Sequence, residues 1–430
     1  MHRHRSRCSQ ASRERKPRGG QKRTSLHRHF ALRIPPPRPR RAVWRILSCK
    51  MPRLSRRELF SCIAAAGVAE SVAGSFRHAL SATPSSAQAM KIASFEVIPT
   101  RVGMRESVRE AWISAWRLQN RFQEDYEVTV VKLTSDEGLV GVCNAAMPAA
   151  RATQLAKSMV GRSPWEYLLD DSIGGLLIAV YDLIGQASGL PVSRLFSPKP
   201  QDKVIQTWWS QCFPPDVMAS EAKRGYDLGY RVHKVKARPW EDPIEQAAAI
   251  AEAVPPDMRV WADANAWWRT VGRTMHFVEE LANFAHYFAI ESPFRREHID
   301  GYRMLKGTSP LQVAEHMPSD PMPFVNERLL VAFVIGGPIG RTLVQRALMA
   351  EVTGIPLWVE HSIECGVNKV FQAHQSAAFP GIEYTISIDH VLADDLMKED
   401  FPVENGFYSP PTGPGLGVTF DMDAVERFRV

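Results

Sequence analysis

The sequence of 430 residues predicts an α/β protein in which an α+β domain precedes a (β/α) barrel. Three observations predict this fold class. Strand-like and helix-like segments alternate over roughly 200 residues from about Lys203 onward. Charged residues recur at one phase of that alternation. The preceding segment instead carries a hairpin-like strand pattern followed by a helix.

The composition is that of a globular protein, with 45% hydrophobic and 23% charged residues. At roughly 150 residues per domain, the length corresponds to two or three domains. The longest apolar stretch, near Cys62 to Ala69, is far shorter than the roughly 18 residues that a membrane span requires. We therefore expect no stable insertion into a membrane.

The formal net charge of +7 originates in the first 89 residues. They carry 20 Lys and Arg against 3 Asp and Glu, whereas residues 90–430 carry 33 against 43. A basic protein is expected to bind nucleic acid or an anionic surface, but the body of this chain is mildly acidic. We expect no nucleic-acid partner. The body's cysteines, Cys143, Cys212 and Cys365, are odd in number and too scattered for a disulfide framework or a zinc site.

The front segment has two parts. Residues 1–50 are rich in Arg, His and Pro and lack periodicity, which predicts a disordered basic extension. Residues 51–89 contain Arg56-Arg57, a stretch of small apolar residues, and Ala87-Gln88-Ala89 before Met90. This pattern resembles a twin-arginine signal peptide with its cleavage site. We expect an exported, periplasmic protein that begins at Met90; a cytoplasmic protein is the alternative.

Residues 90–203 predict the α+β domain. Lys91 to Ile98 and Glu127 to Leu133 alternate in the manner of strands, and a turn sequence follows the second. Apolar residues at helical spacing from Ile173 to Gly189 predict a helix, which Gly189-Leu190-Pro191 ends.

Residues 204–400 predict the barrel. Three strand patterns are separated by helix patterns, in the order strand 231–236, helix 243–253, strand 258–263, helix 274–284 and strand 286–291. Repeats of 24–28 residues indicate βαβ units with a parallel sheet and helices outside. At this length, a closed barrel fits better than an open sheet.

Charged and polar residues fall near the predicted carboxyl ends of successive strands. They are Lys234 and Lys236, then Asp263 and Asn265, then Glu291, then Glu315. In a barrel these strand ends converge on one mouth, so the side chains would meet there. Three carboxylates, from Asp263, Glu291 and Glu315, form an oxygen ligand set that suits Mg²⁺. Lys234 and Lys236 are two residues apart and share one face of their strand.

At these residues the chain resembles the enolase superfamily, in the branch of mandelate racemase and the muconate-lactonizing enzymes. Lys234-Val235-Lys236 is similar to the branch's Lys-x-Lys strand, and Ile290-Glu291-Ser292-Pro293 to its Ile-Glu-Glu-Pro. The segment around Asp263 resembles the first metal-ligand motif. Val313-Ala314-Glu315-His316 resembles the Gly-Glu-His motif of the third ligand, with Ala314 in place of glycine.

The resemblance covers about residues 90–430 and implies a modified TIM (β/α)7β barrel. It also implies that the α+β domain, residues 90–203, is an N-terminal capping domain. Residues 401–430 would form a C-terminal segment that packs back on it.

The same resemblance implies chemistry on a small-molecule carboxylate. Mg²⁺ binds the substrate carboxylate, a base removes the α-proton, and the metal stabilises the resulting enediolate. Lys236 is implied as the base, with a lowered pKa, and Lys234 as the group that holds the carboxylate. Asn265 and His316 are implied as substrate contacts or as partners of the ligands. We also expect a homo-oligomer.

The chain departs from the pattern on the opposite face of the predicted site. Val331 stands where relatives carry an aspartate or a second lysine, so His361 is the remaining candidate for the second acid or base; Glu360 is the weaker candidate. Elimination needs one base and one acid, whereas racemisation needs a base on each face. We therefore expect dehydration of a sugar acid or related hydroxy acid. The alternatives are a racemase, epimerase or cycloisomerase, and a non-catalytic barrel that binds metal and acid.

Overall fold

The protein is described by a computed structural model that covers residues 90–119, 121, 123–337, 339–360, 365–386 and 388–430. The basic extension of residues 1–50 and the signal peptide of residues 51–89 lie outside the described residues and stay predictions. Within the described ranges, no helix is both long enough and apolar enough to cross a membrane.

The first unit is a three-stranded antiparallel sheet with helices. Its strands, in the spatial order β1-β2-β3, are β1 (Ile92–Gly103), β2 (Asp125–Ser135) and β3 (Val140–Asn144). Its helices are α1 (Glu106–Arg117), α2 (Ala149–Met159), α3 (Leu176–Ser188) and the short α4 (Val192–Phe196). α3 is buried over its first ten residues, which are apolar apart from Tyr181 and Asp182. The two predicted strands and the predicted helix are confirmed, whereas a capping role stays a prediction.

Eight parallel strands form a closed barrel, because each pairs with the next and the last pairs with the first. They are β4 (Val204–Ser210), β5 (Val232–Lys236), β6 (Arg259–Asp263), β7 (Tyr287–Glu291), β8 (Gln312–His316), β9 (Ala332–Ile335), β10 (Leu357–Glu360) and β11 (Ile382–Ile386). A two-residue strand, β12 (Phe407–Tyr408), adds to β4 in antiparallel orientation.

Seven α-helices alternate with the barrel strands in the described part of the chain. They are α5 (Pro215–Asp227), α6 (Pro243–Ala253), α7 (Val271–Leu281), α8 (Ile299–Thr308), α9 (Met322–Glu327), α10 (Arg341–Thr353) and α11 (Gly366–Ala378). A 3-10 turn, Asp389–Val391, follows β11 instead of an eighth helix. The predicted (β/α)7β barrel is confirmed.

Aromatic side chains fill the barrel below its mouth. Trp261 and Trp358 lie two residues before Asp263 and Glu360, so each shares a strand face with that carboxylate. Their ring centroids are 4.6 Å apart, and Tyr384 packs against both. The carboxylates therefore stand on a rigid apolar layer.

The C-terminal segment, which includes α12 (Met422–Arg427), contacts the first unit. The Arg101 N–H donates to the carbonyl of Phe428, and the Val430 N–H donates to that of Pro99. Asp182 on α3 accepts from the backbone N–H groups of Leu416 at 2.8 Å and Val142 at 3.0 Å. These bonds join three parts of the chain; the division into domains itself stays a prediction.

Candidate active site

The strand register brings three predicted site residues side by side. Lys236 lies opposite Asp263 in the β5–β6 ladder, and Asp263 lies opposite Glu291 in the β6–β7 ladder. All three end their strands, so their side chains meet at the carboxyl edge of the barrel, where the sites of such barrels lie.

Three buried or largely buried carboxylates surround one ammonium group. Asp263, Glu291 and Glu360 each offer an oxygen within 4.8 Å of the others. The Nζ of Lys234 lies 3.2 Å from Oδ2 of Asp263 and 2.9 Å from Oε2 of Glu291, and it also contacts Oε2 of Glu360. Lys234 is fully buried. Its charge therefore offsets part of the mutual repulsion of the three carboxylates.

The charges in this cluster shift one another's pKa values. Burial by itself would lower the pKa of Lys234, but Glu291, Glu360 and Asp263 together outweigh burial and raise it. Burial would likewise raise the pKa of Asp263, whereas Lys236 and Lys234 hold it below its usual range. Asp263 and Lys234 are therefore charged at neutral pH.

Lys236 lies beside this cluster. Its Nζ donates to Oδ2 of Asp263 at 2.5 Å and lies 6.0 Å from the ring centroid of Trp209. Asn265 holds the same carboxylate: its Nδ2 donates to Oδ2 at 3.1 Å and its backbone N–H donates to Oδ1 at 2.9 Å. Asn265 has a φ of 45°, a left-handed conformation that asparagine tolerates better than most residues.

The structure does not bring Glu315 into the carboxylate cluster. Its Oε1 accepts from the Ser292 hydroxyl and the His316 N–H, each at 2.7 Å, and its Oε2 accepts from the Tyr302 hydroxyl. Tyr302 belongs to α8, so the Glu315 carboxylate is hydrogen-bonded to a helix outside the barrel. Burial raises the pKa of Glu315 in spite of these donors. The cluster in the structure is formed by Asp263, Glu291 and Glu360. The assignment of Asp263, Glu291 and Glu315 as metal ligands stays a prediction.

Strand alternation gives the physical reason for this difference. Adjacent residues on a strand face opposite sides, so Glu315 and His316 cannot both point to the mouth. His316 takes that direction, with its Nε2 3.2 Å from Oε1 of Glu291. Burial would lower the pKa of His316, but its hydrogen bond to Glu291 raises it. His361 lies outside the described residues, and its role stays a prediction.

Sequence reasoning underrated Glu360 and missed Arg238. Glu360 ends its strand just as Asp263 and Glu291 do, and this position was the available signal. Arg238 lies two residues beyond Lys236 and donates to the side chains of Asn265 and Gln211. No pattern in the sequence indicated these partners, because they belong to loops after different strands.

The donor set fits a hard divalent cation. Three carboxylates that converge within a buried space offer only oxygen atoms, the ligands that Mg²⁺ prefers. Carboxylates this close also require positive charge among them, which the Lys234 ammonium contributes. Asp263 and Glu291 would hold such a cation, with Glu360 as the third carboxylate near them.

Comparison with known proteins agrees with this architecture. The family model described as "Enolase C-terminal domain-like" matches residues 217–324 and 335–424. Muconate cycloisomerase 1-2 of Acinetobacter lwoffii is 26% identical over 265 residues, which span 58% of this chain and 68% of that protein. D-gluconate dehydratase of Thermoproteus tenax is 24% identical over 353 residues, with coverages of 71% and 70%.

Solved structures show the same fold. The N-succinyl Arg/Lys racemase of Bacillus cereus superposes with a TM-score of 0.65 at 18% identity, covering 79% of this chain and 98% of its own. With the barrel, the family model and the relatives in agreement, the chain belongs to the enolase superfamily, among the relatives of the mandelate racemase and muconate-lactonizing branch.

Proposed function

We propose that this protein removes the proton α to a carboxylate of a small-molecule acid, with a divalent cation, and that the reaction is dehydration of a sugar acid or related hydroxy acid. One observation carries the proposal: Lys236 lies at the barrel mouth with its Nζ 2.5 Å from Asp263, beside the carboxylate cluster around Lys234. A base and a cation-binding group thus stand next to each other.

Each group has a separate task in this proposal. Asp263 and Glu291 hold the cation, which when bound supplies positive charge to the substrate carboxylate. Lys236, as the free amine, accepts the α-proton. Lys234 keeps a fixed positive charge at the base of the site, which favours negative charge on the substrate oxygens. Asn265 holds the orientation of Asp263 through two hydrogen bonds.

Dehydration is preferred over racemisation because of Val331, which stands where the resembled branch carries an aspartate or a second lysine. Val331, which directly precedes β9, has no acid or base group. Departure of a β-hydroxyl needs only one acid, for which His361 is the proposed residue. Relatives include D-gluconate dehydratase and also muconate cycloisomerase, so the family itself leaves the reaction open.

The test is exchange of the substrate α-hydrogen in D₂O, followed by NMR with Mg²⁺ and a panel of sugar acids. We expect exchange together with a 2-keto product. Lys236→Ala should slow exchange by roughly 10²–10⁴-fold, the scale of a positioned base, with little change in ligand affinity. Lys223→Ala is the matched control, since Lys223 is an exposed lysine paired with Asp227 on α5.

The outcomes separate the possible reactions. Exchange with inversion and without 2-keto product would replace dehydration by racemisation or epimerisation. Equal exchange rates in the parent and Lys236→Ala would remove Lys236 as the base. If the parent binds acids but exchanges none across the panel, the proposed activity is refuted.

A further inference from the structure

Arg238 holds a guanidinium group at the mouth of the barrel. Its Nε and Nη2 donate to Oδ1 of Asn265 at 3.0 and 2.6 Å, and its Nη1 donates to Oε1 of Gln211 at 2.9 Å. Gln211 directly follows β4, and Asn265 lies two residues beyond β6. The guanidinium group therefore bridges the carboxyl ends of β4 and β6, the strands on either side of β5, on the same edge as Lys236.

The acceptors of Arg238 are neutral amide oxygens. Among the residues that the structure describes, no carboxylate forms an ion pair with Arg238, although only 7% of this residue is exposed. Asp263 and Glu360 act on it only at longer range, and each is bonded to a lysine. A guanidinium keeps its charge in proteins, and burying a charge without a counter-charge is costly. The chain thus buries a cation at the mouth without pairing it.

Several hydrogen-bond donors at this cation have no acceptor among the described residues. A guanidinium has five N–H groups, and the bonds to Asn265 and Gln211 use three of them. The Nε1 of Trp240 is buried and has no hydrogen-bond partner in the described part of the chain. The ring of Trp240 lies 5.6 Å from Cζ of Arg238. Two N–H groups of the guanidinium therefore have no acceptor among the described residues.

A second guanidinium group lies near the first. Arg121 belongs to the loop between α1 and β2, in the first unit. Burial is the main cause of the lowered pKa of Arg238, and the charge of Arg121 lowers this pKa further. Arg121 stacks at 5.5 Å on Trp116, and over the described ranges it forms no ion pair with a carboxylate. A bound anion would relieve the repulsion between the two guanidinium charges.

We propose that Arg238, assisted by Arg121, binds a second anionic group of the substrate, so that the acid is a hydroxy dicarboxylate. The inference rests on the proposed function, since one carboxylate must lie at the cation site beside Lys236 while Arg238 binds the other. A carboxylate has the planar geometry that two N–H groups of one guanidinium recognise. Asn265 and Gln211 hold the guanidinium and leave its remaining N–H groups for the ligand.

The test compares matched acids that differ only in the far group: galactarate with galactonate, glucarate with gluconate, and tartrate with threonate. Binding to the full chain with Mg²⁺ is measured by titration calorimetry. In at least one pair, the parent should bind the diacid about tenfold or more tightly than the monoacid, the scale of hydrogen bonds to a charged group. Arg238→Gln should abolish that preference, and Arg238→Lys should retain part of it. Arg151→Gln, which changes an exposed arginine on α2, should retain all of it.

Equal affinity of the parent for both members of every pair would overturn the inference. So would an equal loss of affinity for monoacid and diacid in Arg238→Gln, because that result marks a purely structural role through Asn265. The outcomes that refute the proposed function differ from those that refute the anion site. A parent that exchanges the α-hydrogen of a monoacid and prefers no diacid keeps the function and loses this inference. Diacid binding that depends on Arg238, without α-hydrogen exchange of any acid, upholds the anion site and refutes the function.

Discussion

The Nζ of Lys234 lies 2.9 Å from Oε2 of Glu291, above the aromatic layer that Trp261 and Trp358 form inside the barrel. This ion pair is fully buried, and Asp263 and Glu360 contact the same ammonium group. Removing one member of a buried ion pair leaves an uncompensated charge, which costs more than the pair itself contributes. The stability of the free protein should therefore depend on Lys234.

We expect Lys234→Met to lower the free energy of unfolding by roughly 3–5 kcal/mol, the usual cost of breaking a buried pair. Added Mg²⁺ should recover more stability in this variant than in the parent, because the cation restores positive charge among the carboxylates. Urea denaturation with and without Mg²⁺ measures both effects. Lys223→Met, which breaks an exposed pair on α5, should change stability by less than about 1 kcal/mol. Unfolding of Lys234→Met at the parent's midpoint would contradict the expectation.

The second prediction concerns the third carboxylate of the cation site. Because Glu360 lies with Asp263 and Glu291 while Glu315 is bonded to Tyr302, Glu360→Gln should weaken Mn²⁺ binding more than Glu315→Gln. Asp263→Asn should lower the affinity for Mn²⁺ at least about tenfold. Changing a residue that is only hydrogen-bonded to a metal ligand already lowers metal affinity by roughly ten- to a hundredfold. Titration followed by electron paramagnetic resonance measures free Mn²⁺ directly. The reverse order for Glu360 and Glu315 would show that the Glu315 side chain turns into the mouth when the cation binds.

Much of the barrel was predictable because its signals are local. The helix predicted over residues 243–253 has those bounds in the structure, where Asp242 caps it and Pro243 occupies its first turn. Asp263 and Glu291 were also predictable, because the βαβ repeat fixes where strands end. Their meeting requires only that neighbouring parallel strands stay in register, as they do at this edge.

The remainder depended on contacts that no local pattern carries. Glu315 lies one residue before the end of β8, where strand alternation turns it away from the mouth, and its carboxylate is held by Tyr302 on α8 and by Ser292 on a neighbouring loop. Arg238 becomes informative only once Asn265 and Gln211 are seen beside it. The spacing of residues in the sequence predicts how far along a barrel strand a side chain lies. It does not predict which hydrogen-bond partners orient that side chain.

The third prediction concerns Asp182, whose carboxylate is buried in α3 and accepts two backbone hydrogen bonds. Burial raises the pKa of this carboxyl to about 6, although the hydrogen bonds from Leu416, Gln186 and Val142 oppose the shift. The folded state therefore binds a proton more tightly than the unfolded chain, whose carboxyl has a pKa near 3.8. The stability that depends on this group is highest below about pH 4 and falls as pH rises to about 6.

Asp182→Asn removes this titration. As pH falls from 7.5 to 5, the parent should gain about 1 kcal/mol of unfolding free energy relative to the variant, by proton linkage. At neutral pH the variant also loses one acceptor, since an amide has one oxygen. Urea denaturation of both proteins at the two pH values gives the difference. If the difference in unfolding free energy between parent and variant is the same at pH 5 and pH 7.5, the pKa of Asp182 is not raised.

The last prediction concerns Gly415, which has a φ of +73° and lies against α3. A Cβ at this position would be 2.1 Å from Oδ1 of Asp182, the atom that accepts the Leu416 N–H. Gly415→Ala therefore combines a left-handed conformation, which costs roughly 1–2 kcal/mol in a residue with a side chain, with loss of a buried hydrogen bond, which costs roughly 1–3 kcal/mol.

We expect Gly415→Ala to lower the free energy of unfolding by about 3.5 kcal/mol, the middle of that combined range. Gly413→Ala is the matched control, because its added Cβ would meet only the Cα of Gly417, at 3.9 Å. This control should stay within about 0.5 kcal/mol of the parent, as surface substitutions usually do. Thermal and urea unfolding measure both variants. If Gly415→Ala proves as stable as Gly413→Ala, the backbone at Gly415 does not pack tightly against Asp182.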